Sequence, residues 1–549
     1  MSAIETGLPM RFHWLSKRIQ VLVCFVVSIP LYLLYISGLT ENPPGFYVDE
    51  SAVSYNALTI YLWGQGDSGH PWPLFFPVYP YPRVGYLGYA DPVQIYLLAA
   101  IYNIFPPSQF LSRAVDATAM FLAAILLGFL ARSLSNNSSF IGITVAFTAL
   151  LTPWLYEIGR LAFAAGLYPL TVVLLLVALY RGYRRVNWTL LDQILIALAL
   201  ALTTYTYAIG RLLGPLLAFG LILFARDLKR LKGVLTTWII YGITLMPVIV
   251  FHLRHPGALT GRFTMSVGYV SKDMGPVEIL AEFFKHYFAN ISLQHLFVDG
   301  DPIVRHHVLG APAMLAVTIL FAAAGILIVL VKHRRDAWWH YIVYGLLVSV
   351  VPASLTYDEF HFLRLSAFPV FVIVQMIPTL TLLVRGPDRT TADRSSRLRF
   401  VSATRFRYIA LTLLLAAGLT QAVVFQNYFS EVGSYRGAHF DSNFPMVLDA
   451  ALEQPERPIY LIDECFYHAF WQSALRGIDT SNFVRLGPEV RPPADSIVLS
   501  TEAECSVCDV ILQDEPYIIY KTLTNDEQPP QFESDSSPEL SRDRDAKDK

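Results

Sequence analysis

The apolar positions of this chain fall in long blocks rather than in amphipathic stripes. Nearly unbroken apolar stretches lie at roughly 19–39, 111–131, 139–156, 163–181, 189–207, 211–225, 233–251, 308–331, 338–355, 362–384 and 406–426. Each is close to the ~20 residues a helix needs to cross a ~30 Å hydrocarbon layer, so the pattern predicts about eleven membrane-spanning helices. The first stretch follows Arg11, Lys17 and Arg18 and has no small-x-small cleavage pattern behind it, so it reads as a retained signal anchor.

Between the blocks, three longer segments have their own patterns. In the first, about 40–110, positions 50–63 read as an amphipathic helix, and 92–105 are apolar but too short to span. Both suit helices lying at the membrane interface, with Trp63, Trp72 and many tyrosines as belt residues. The second segment covers about 252–307. The third follows 426, where 458–462, 496–500 and 509–512 have the β-branched, Pro- and Asp-bounded look of strands. These predict a small α/β domain over 427–522, and 523–549 read as a disordered acidic tail.

Composition agrees with lipid as the solvent. Of 549 residues 54% are hydrophobic and 15% charged, with a mean hydropathy of +0.45, against about 25% charged residues in soluble domains. The net charge of −2 is less informative than where the charges fall. With residues 1–18 cytoplasmic, alternate loops hold Arg132; Arg181, Arg184 and Arg185; Arg226, Lys229, Arg230 and Lys232; Lys332, Arg334 and Arg335; and a last cluster from Arg385 to Arg407. Basic residues favour cytoplasmic loops, so the three longer segments are expected on the non-cytoplasmic face of a plasma membrane, the inner membrane of a bacterium. A span at 92–105 would invert every later loop and break that agreement.

The basic patches are short and interrupted, which argues against nucleic acid as a partner. No Gly-rich phosphate loop is present, so no nucleotide cofactor is expected. Cys24, Cys465, Cys505 and Cys508 are too few for a disulfide framework. The Cys505–Cys508 spacing fits a structural disulfide, with Cys465 as another partner, or free thiols.

Candidate chemistry clusters on the predicted outer side. Asp49 and Glu50 stand just after the first span; a carboxylate there can act as general base, or Asp49 can simply cap a helix. Asp91, before Pro92, offers a second acid or another helix start. Arg113, Arg160, Arg211 and Arg364 lie near the outer ends of spans, where guanidinium groups suit phosphate, although each can also snorkel or pair locally. The 299–307 run places Arg305 and His306 beside Asp299 and Asp301, a metal-type cluster without regular spacing that reads more simply as a polar turn.

Four blocks carry a family resemblance: Tyr47-Val48-Asp49-Glu50-Ser51-Ala52; Asp91-Pro92 with Tyr96-Leu97-Leu98 and Leu111-Ser112-Arg113; Thr204-Tyr205-Thr206-Tyr207 with Arg211; and Asp299-Gly300-Asp301 with Arg305-His306. Over roughly 20–370 the chain resembles the GT-C superfamily of polyprenyl-phosphate-dependent glycosyltransferases, in particular the bacterial protein O-mannosyltransferase and lipid A aminoarabinose transferase types. Asp91 stands where such enzymes often have Glu.

The resemblance implies an all-α multi-pass membrane protein of GT-C-like fold, with about eleven transmembrane helices and interfacial helices in the first outer loop. A small extracytoplasmic α/β domain would follow. It implies an inverting transfer of a sugar from a polyprenyl-phosphate donor to a hydroxyl of an acceptor that the sequence leaves open, whether protein, lipid or glycan. Asp49 would be the base. Glu50 and Asp91 would orient the acceptor, and Asp49 with Asp91 would hold any divalent metal cation. Arg113, Arg160, Arg211, Arg305 and Arg364 would bind the donor phosphate, and Tyr205, Tyr207, Asp301, His306 and His361 the substrate. A transporter or flippase, and a non-catalytic membrane binding protein, are the rival readings; charged residues gathered on one face favour catalysis.

Overall fold

The computed structural model describes residues 17–81, 86–271, 274–386, 397–462, 465–486, 490–501 and 508–523. The N-terminal basic residue Arg11, part of the last basic loop, Cys505 and the acidic tail lie outside them. The described chain forms two compact units, one of residues up to 445 together with 467–478, the other of 446–466 and the residues from 479.

The first unit is helical. Its elements are α1 (Lys17–Tyr35), α2 (Val48–Trp63), the strands β1 (Phe76–Tyr81) and β2 (Tyr86–Ala90), α3 (Pro92–Tyr102), α4 (Gln109–Leu134), α5 (Ser139–Leu151), α6 (Pro153–Ile158), α7 (Ala164–Tyr183), α8 (Leu190–Thr206), α9 (Gly210–Phe219) and α10 (Leu228–Arg254). Then come α11 (Pro276–Asn290), α12 (Ala316–Lys332), α13 (Ala337–Val348), α14 (Phe368–Gln375), α15 (Ile377–Arg385) and α16 (Arg397–Val432). Every apolar block contains helix. Six helical segments are long and apolar enough to cross a membrane, beginning at Gln109, Ala164, Leu228, Ala337, Phe368 and Thr404, and further apolar helices are shorter. The chain is a membrane protein most of whose helices pack around a large apolar core, with a smaller cluster of Val308, Ala311, Phe425 and Phe429 apart from it.

Two blocks begin as helix later than their hydropathy predicts. Residues 308–315 include Gly310 and Pro312 and run as non-helical chain, exposed at Leu309 and Gly310 and buried from Ala313 to Leu315, where the Trp154 amide donates to the Ala313 carbonyl at 3.0 Å and the Met314 amide to Leu296 at 3.2 Å. Before α14, Phe362 stacks on Trp154 with ring centroids 4.4 Å apart. Apolar composition reports burial here, not helix.

The first long connection also differs from expectation. Helix α2 does not have the one exposed face of an amphipathic helix: its first three turns are almost wholly buried within the protein, and only Tyr61, Leu62 and Trp63 at its end are exposed. Its polar residues are satisfied inside the fold: the Ser54 hydroxyl donates to Ser112 at 2.9 Å, and Asn56 Nδ2 to the Ala52 carbonyl at 3.0 Å. The Tyr- and Pro-rich stretch after it forms the antiparallel β1–β2 pair, which was not expected.

In the second unit, β3 (Ile459–Leu461), β4 (Phe483–Arg485), β5 (Ile497–Ser500), β6 (Cys508–Asp514) and β7 (Tyr517–Thr522) form one sheet in the order β4-β3-β5-β7-β6. Strand β3 pairs in parallel with β4 and β5, while β7 pairs antiparallel with β5 and β6. Val498, Ile518 and Tyr520 cluster in its core with Ile462 and Leu486. Helix α17 (Phe444–Leu452) leads into this unit, and α18 (Cys465–Arg476) carries the chain from it into the helical unit. Three strands match the sequence expectation; β4 and β7 add to it.

Candidate active site

The site is built around the start of α2. Glu50 is fully buried there and joined to Arg113 of α4 in a two-pronged ion pair, with Nε on Oε1 at 2.8 Å and Nη2 on Oε2 at 2.7 Å. The other donors of Arg113 reach the carbonyls of Leu39, Pro43 and Gly45 at 2.7–2.9 Å. Glu50 also accepts from the Tyr47 and Ala162 amides at 3.0 and 2.9 Å. All five N–H groups of Arg113 are thus engaged with protein, which leaves none for a donor phosphate. Glu50, expected among the catalytic acids, is a brace for the loop.

Arg160 is placed in the same way. Its guanidinium donates to the carbonyls of Tyr35, Ser37 and Asn42 at 2.7–3.1 Å. It satisfies carbonyls left open where α1 ends. Tyr205 is also structural in placement, its hydroxyl donating to the Thr244 carbonyl at 2.7 Å while its ring stacks on Phe75.

Three more of the expected residues, Asp49, Asp91 and Arg364, fall in a second group together with Arg262, which the sequence did not single out. Asp49, Asp91, Arg262 and Arg364 all act electrostatically on the Tyr207 hydroxyl. Asp49 lies in the first turn of α2, half-buried. Asp91 stands at the N-cap of α3 before Pro92, and its carboxylate accepts from Arg211 Nη2 at 2.6 Å. Burial pushes the Asp91 carboxyl above the usual carboxylate range, against the pull of Arg211. Arg211 is otherwise held by the Leu259 carbonyl at 3.0 Å and by the Phe75 ring, and its Nε has no partner among the described residues. Arg364 pairs with Asp358. Arg305 lies over the Tyr47 ring at 4.3 Å, two residues before Asp49 in sequence.

The third cluster joins two distant loops. Asp301 accepts from the Ile303 amide on Oδ1 at 2.8 Å, and on Oδ2 from the Phe362 amide at 2.6 Å and His306 Nδ1 at 3.1 Å. The His306 and His361 rings lie 4.6 Å apart. Tyr47, Phe163 and His306 form a row of edge-on rings that links this cluster to the α2 turn. Asp301, His306 and His361 each present a ligand atom, all within 4.8 Å of one another and all buried.

Burial, with the nearby charges of His306, Arg364 and Arg262, pushes the His361 imidazole well below its ordinary value, and its Nδ1 has no hydrogen-bond partner among the described residues. A neutral imidazole with an open lone pair, a second imidazole and a carboxylate form a donor set that fits a divalent transition metal such as zinc. The structure thus offers the histidine cluster as a candidate metal site besides the expected Asp49 and Asp91, of which Asp91 is paired with Arg211.

His307, the other histidine of the run, is fixed elsewhere, with Nδ1 on Glu157 at 2.8 Å and Nε2 on the Ala311 carbonyl at 2.8 Å. Burial opposes its charge, but Glu157 outweighs burial and raises the imidazole pKa. The sequence reading missed Arg262, Glu157, Asp441 and His468. None of them stands in a recognisable local pattern, and only their partners, far away in the chain, mark them.

No protein-family model matches the chain, and no curated protein does. Among solved structures it is similar to ArnT from Cupriavidus metallidurans bound to undecaprenyl phosphate, with a TM-score of 0.53 at 12% identity, covering 94% of this chain and 100% of that one. The apo state of the same ArnT gives a TM-score of 0.51 at 13% identity, over 92% and 98% of the two chains. At such identity the likeness speaks to architecture alone: nearly end to end, this chain has the fold of that ArnT.

Proposed function

We propose that this protein is a membrane glycosyltransferase that moves a sugar from a polyprenyl-phosphate donor to an acceptor hydroxyl on the non-cytoplasmic side. The observation that carries this reading is the buried Asp91 carboxylate paired with Arg211 at 2.6 Å, within a fold shared with ArnT over its full length, with Asp49, Arg262 and Arg364 near enough to Tyr207 for their charges to reach its hydroxyl. That ArnT was solved with undecaprenyl phosphate bound, which supports a lipid phosphate as the donor carrier. The five basic loops and the disulfide-bonded Cys508 support an outward-facing site, since disulfides persist in oxidising compartments.

The reaction places two demands on the protein. The phosphate is already a good leaving group, so as the bond between the anomeric carbon and phosphate oxygen breaks, its growing charge needs positive groups held in place beforehand. Arg262, Arg364 and Arg305 supply them, while Arg211 stays bound to Asp91. The acceptor hydroxyl is a poor nucleophile, and Asp49 takes its proton as the new bond forms on the opposite face of the sugar, inverting that carbon. A divalent metal on Asp301, His306 and His361 would contribute further positive charge near the leaving phosphate.

The test uses purified protein in lipid vesicles, a panel of radiolabelled polyprenyl-phosphate sugars and a cell extract to supply acceptors. Wild type should consume at least one donor, and Asp49→Asn should be slower by roughly 10²–10⁴-fold. Full activity in Asp49→Asn would remove the base assignment. Failure of wild type to consume any donor would favour a lipid-binding or transport role.

A further inference from the structure

Two backbone amides lead into the turn that carries Asp49, and each is held by a carboxylate. The Tyr47 amide donates to Glu50, three residues on. The Val48 amide donates to Oδ2 of Asp441 at 3.0 Å, from the chain beyond the last long helix. The same Asp441 oxygen lies 3.2 Å from His468 Nε2, and His468 Nδ1 lies 2.9 Å from the Ser51 hydroxyl, back on the first turn of α2. Asp441, His468 and Ser51 are all buried. The result is a closed ring of hydrogen bonds, from Val48 through Asp441 and His468 to Ser51, with Asp49 between its two attachment points.

The surroundings are shaped for this ring. Gly45 has φ +85°, and a Cβ there would collide with the carbonyl of Phe440 and the backbone of Ser442. Only glycine lets the 440–442 turn come close enough for Asp441 to reach Val48. Asp441 itself has φ +53°, an uncommon conformation for a residue with a side chain. On either side of His468 the helix is anchored as well: Trp471 stacks on Phe46 with centroids 6.0 Å apart, and the Tyr467 hydroxyl donates to Asp67 at 3.0 Å. Ser51 is fully buried, so its hydroxyl serves this ring and is not an accessible nucleophile.

We propose that Asp441 and His468 are positioning residues for the transfer reaction, acting through Val48 and Ser51 to fix the direction in which Asp49 presents its carboxylate. This rests on Asp49 being the base. Neither residue belongs to the four blocks that carry the sequence resemblance. Loss of the ring should slow the chemical step and leave donor binding alone, because the arginines that meet the phosphate stand on other segments.

The experiment compares full-length wild type, His468→Phe, which keeps a ring but makes neither bond, and His468→Gln, which keeps one side-chain donor and acceptor. Steady-state transfer and hydrogen–deuterium exchange of the 47–52 amides are read on the same preparations. His468→Phe should lower kcat by roughly 10-fold or more with the donor KM within about twofold, and its 48–52 amides should exchange faster; His468→Gln should recover part of both. Faster exchange with unchanged kcat would overturn the positioning role, and so would unchanged exchange. If wild type consumed no donor, the transferase reading would fail, and the positioning role with it. Exchange would then still report whether the ring orders this turn.

Discussion

Arg113 and Arg211 invite comparison, since both are buried or nearly so, both pair with an acid of the first long connection, and both were expected to hold phosphate. Arg113 is saturated, with five donors on five protein acceptors, and its partner Glu50 accepts four hydrogen bonds. Around Arg211 the accounting stays open: its Nε has no partner among the described residues, as is also true of Nδ1 of His361 in the histidine cluster. A buried polar group without a partner costs free energy. Such groups gather where a ligand can complete them, whereas a saturated pair is architecture. Glu50, next to Asp49 in sequence, falls on the side of architecture.

Three measurements would break or sharpen the contrast. The largest effect is expected at the saturated pair, because removing one partner leaves the other charged, buried and alone. Arg113→Ala or Glu50→Ala should destabilise the folded protein by about 3–5 kcal/mol, read as a large loss in thermal midpoint in detergent. Stability near wild type in either variant would end the description of this pair as a brace. A middle-sized effect belongs to the open group. Zinc at about 100 times its dissociation constant should stabilise wild type by about 2.7 kcal/mol, and His361→Ala should lose that response while keeping its metal-free midpoint within ~1 kcal/mol. Equal zinc shifts in both proteins would place the metal elsewhere.

The smallest effect is a pH dependence at His307. Its imidazole pKa is raised above 6.5 in the fold, so protonated His307 contributes stability that is complete below the unfolded value and disappears as pH rises through the folded one. Stability measured upward from pH 6.5 should therefore fall more steeply in wild type than in Glu157→Gln. Parallel curves would mean that the Glu157 contact does not hold the charge.

The same contrast explains what was legible in the sequence. Long apolar blocks announce helices because lipid forces backbone groups to bond within the helix. Residues 308–315 and 362–367 deceive because buried loops are apolar too. Residue types in the site were readable where chemistry is rare and local, as at Asp49, Asp91 and the 299–307 run. Partnerships were not: Glu50 and Arg113 are 63 positions apart, Glu157 and His307 150. No periodicity links such pairs, so a saturated arginine and an open one look alike until the chain is folded. Histidine 361 shows the reverse case, a residue chosen for substrate whose geometry suits a metal instead.

The ring through Asp441 and His468 has a consequence in time. Ser51 and His468 are 417 residues apart, and at about 5–20 residues per second of synthesis, roughly 20–80 s pass between the making of one and the other. During that interval the membrane helices are inserted and the arginines near Tyr207 are already translated, yet the turn bearing Asp49 lacks its second clasp. Under the proposed role of Asp49, a nascent chain carries its base unaimed until residue 468 has been made.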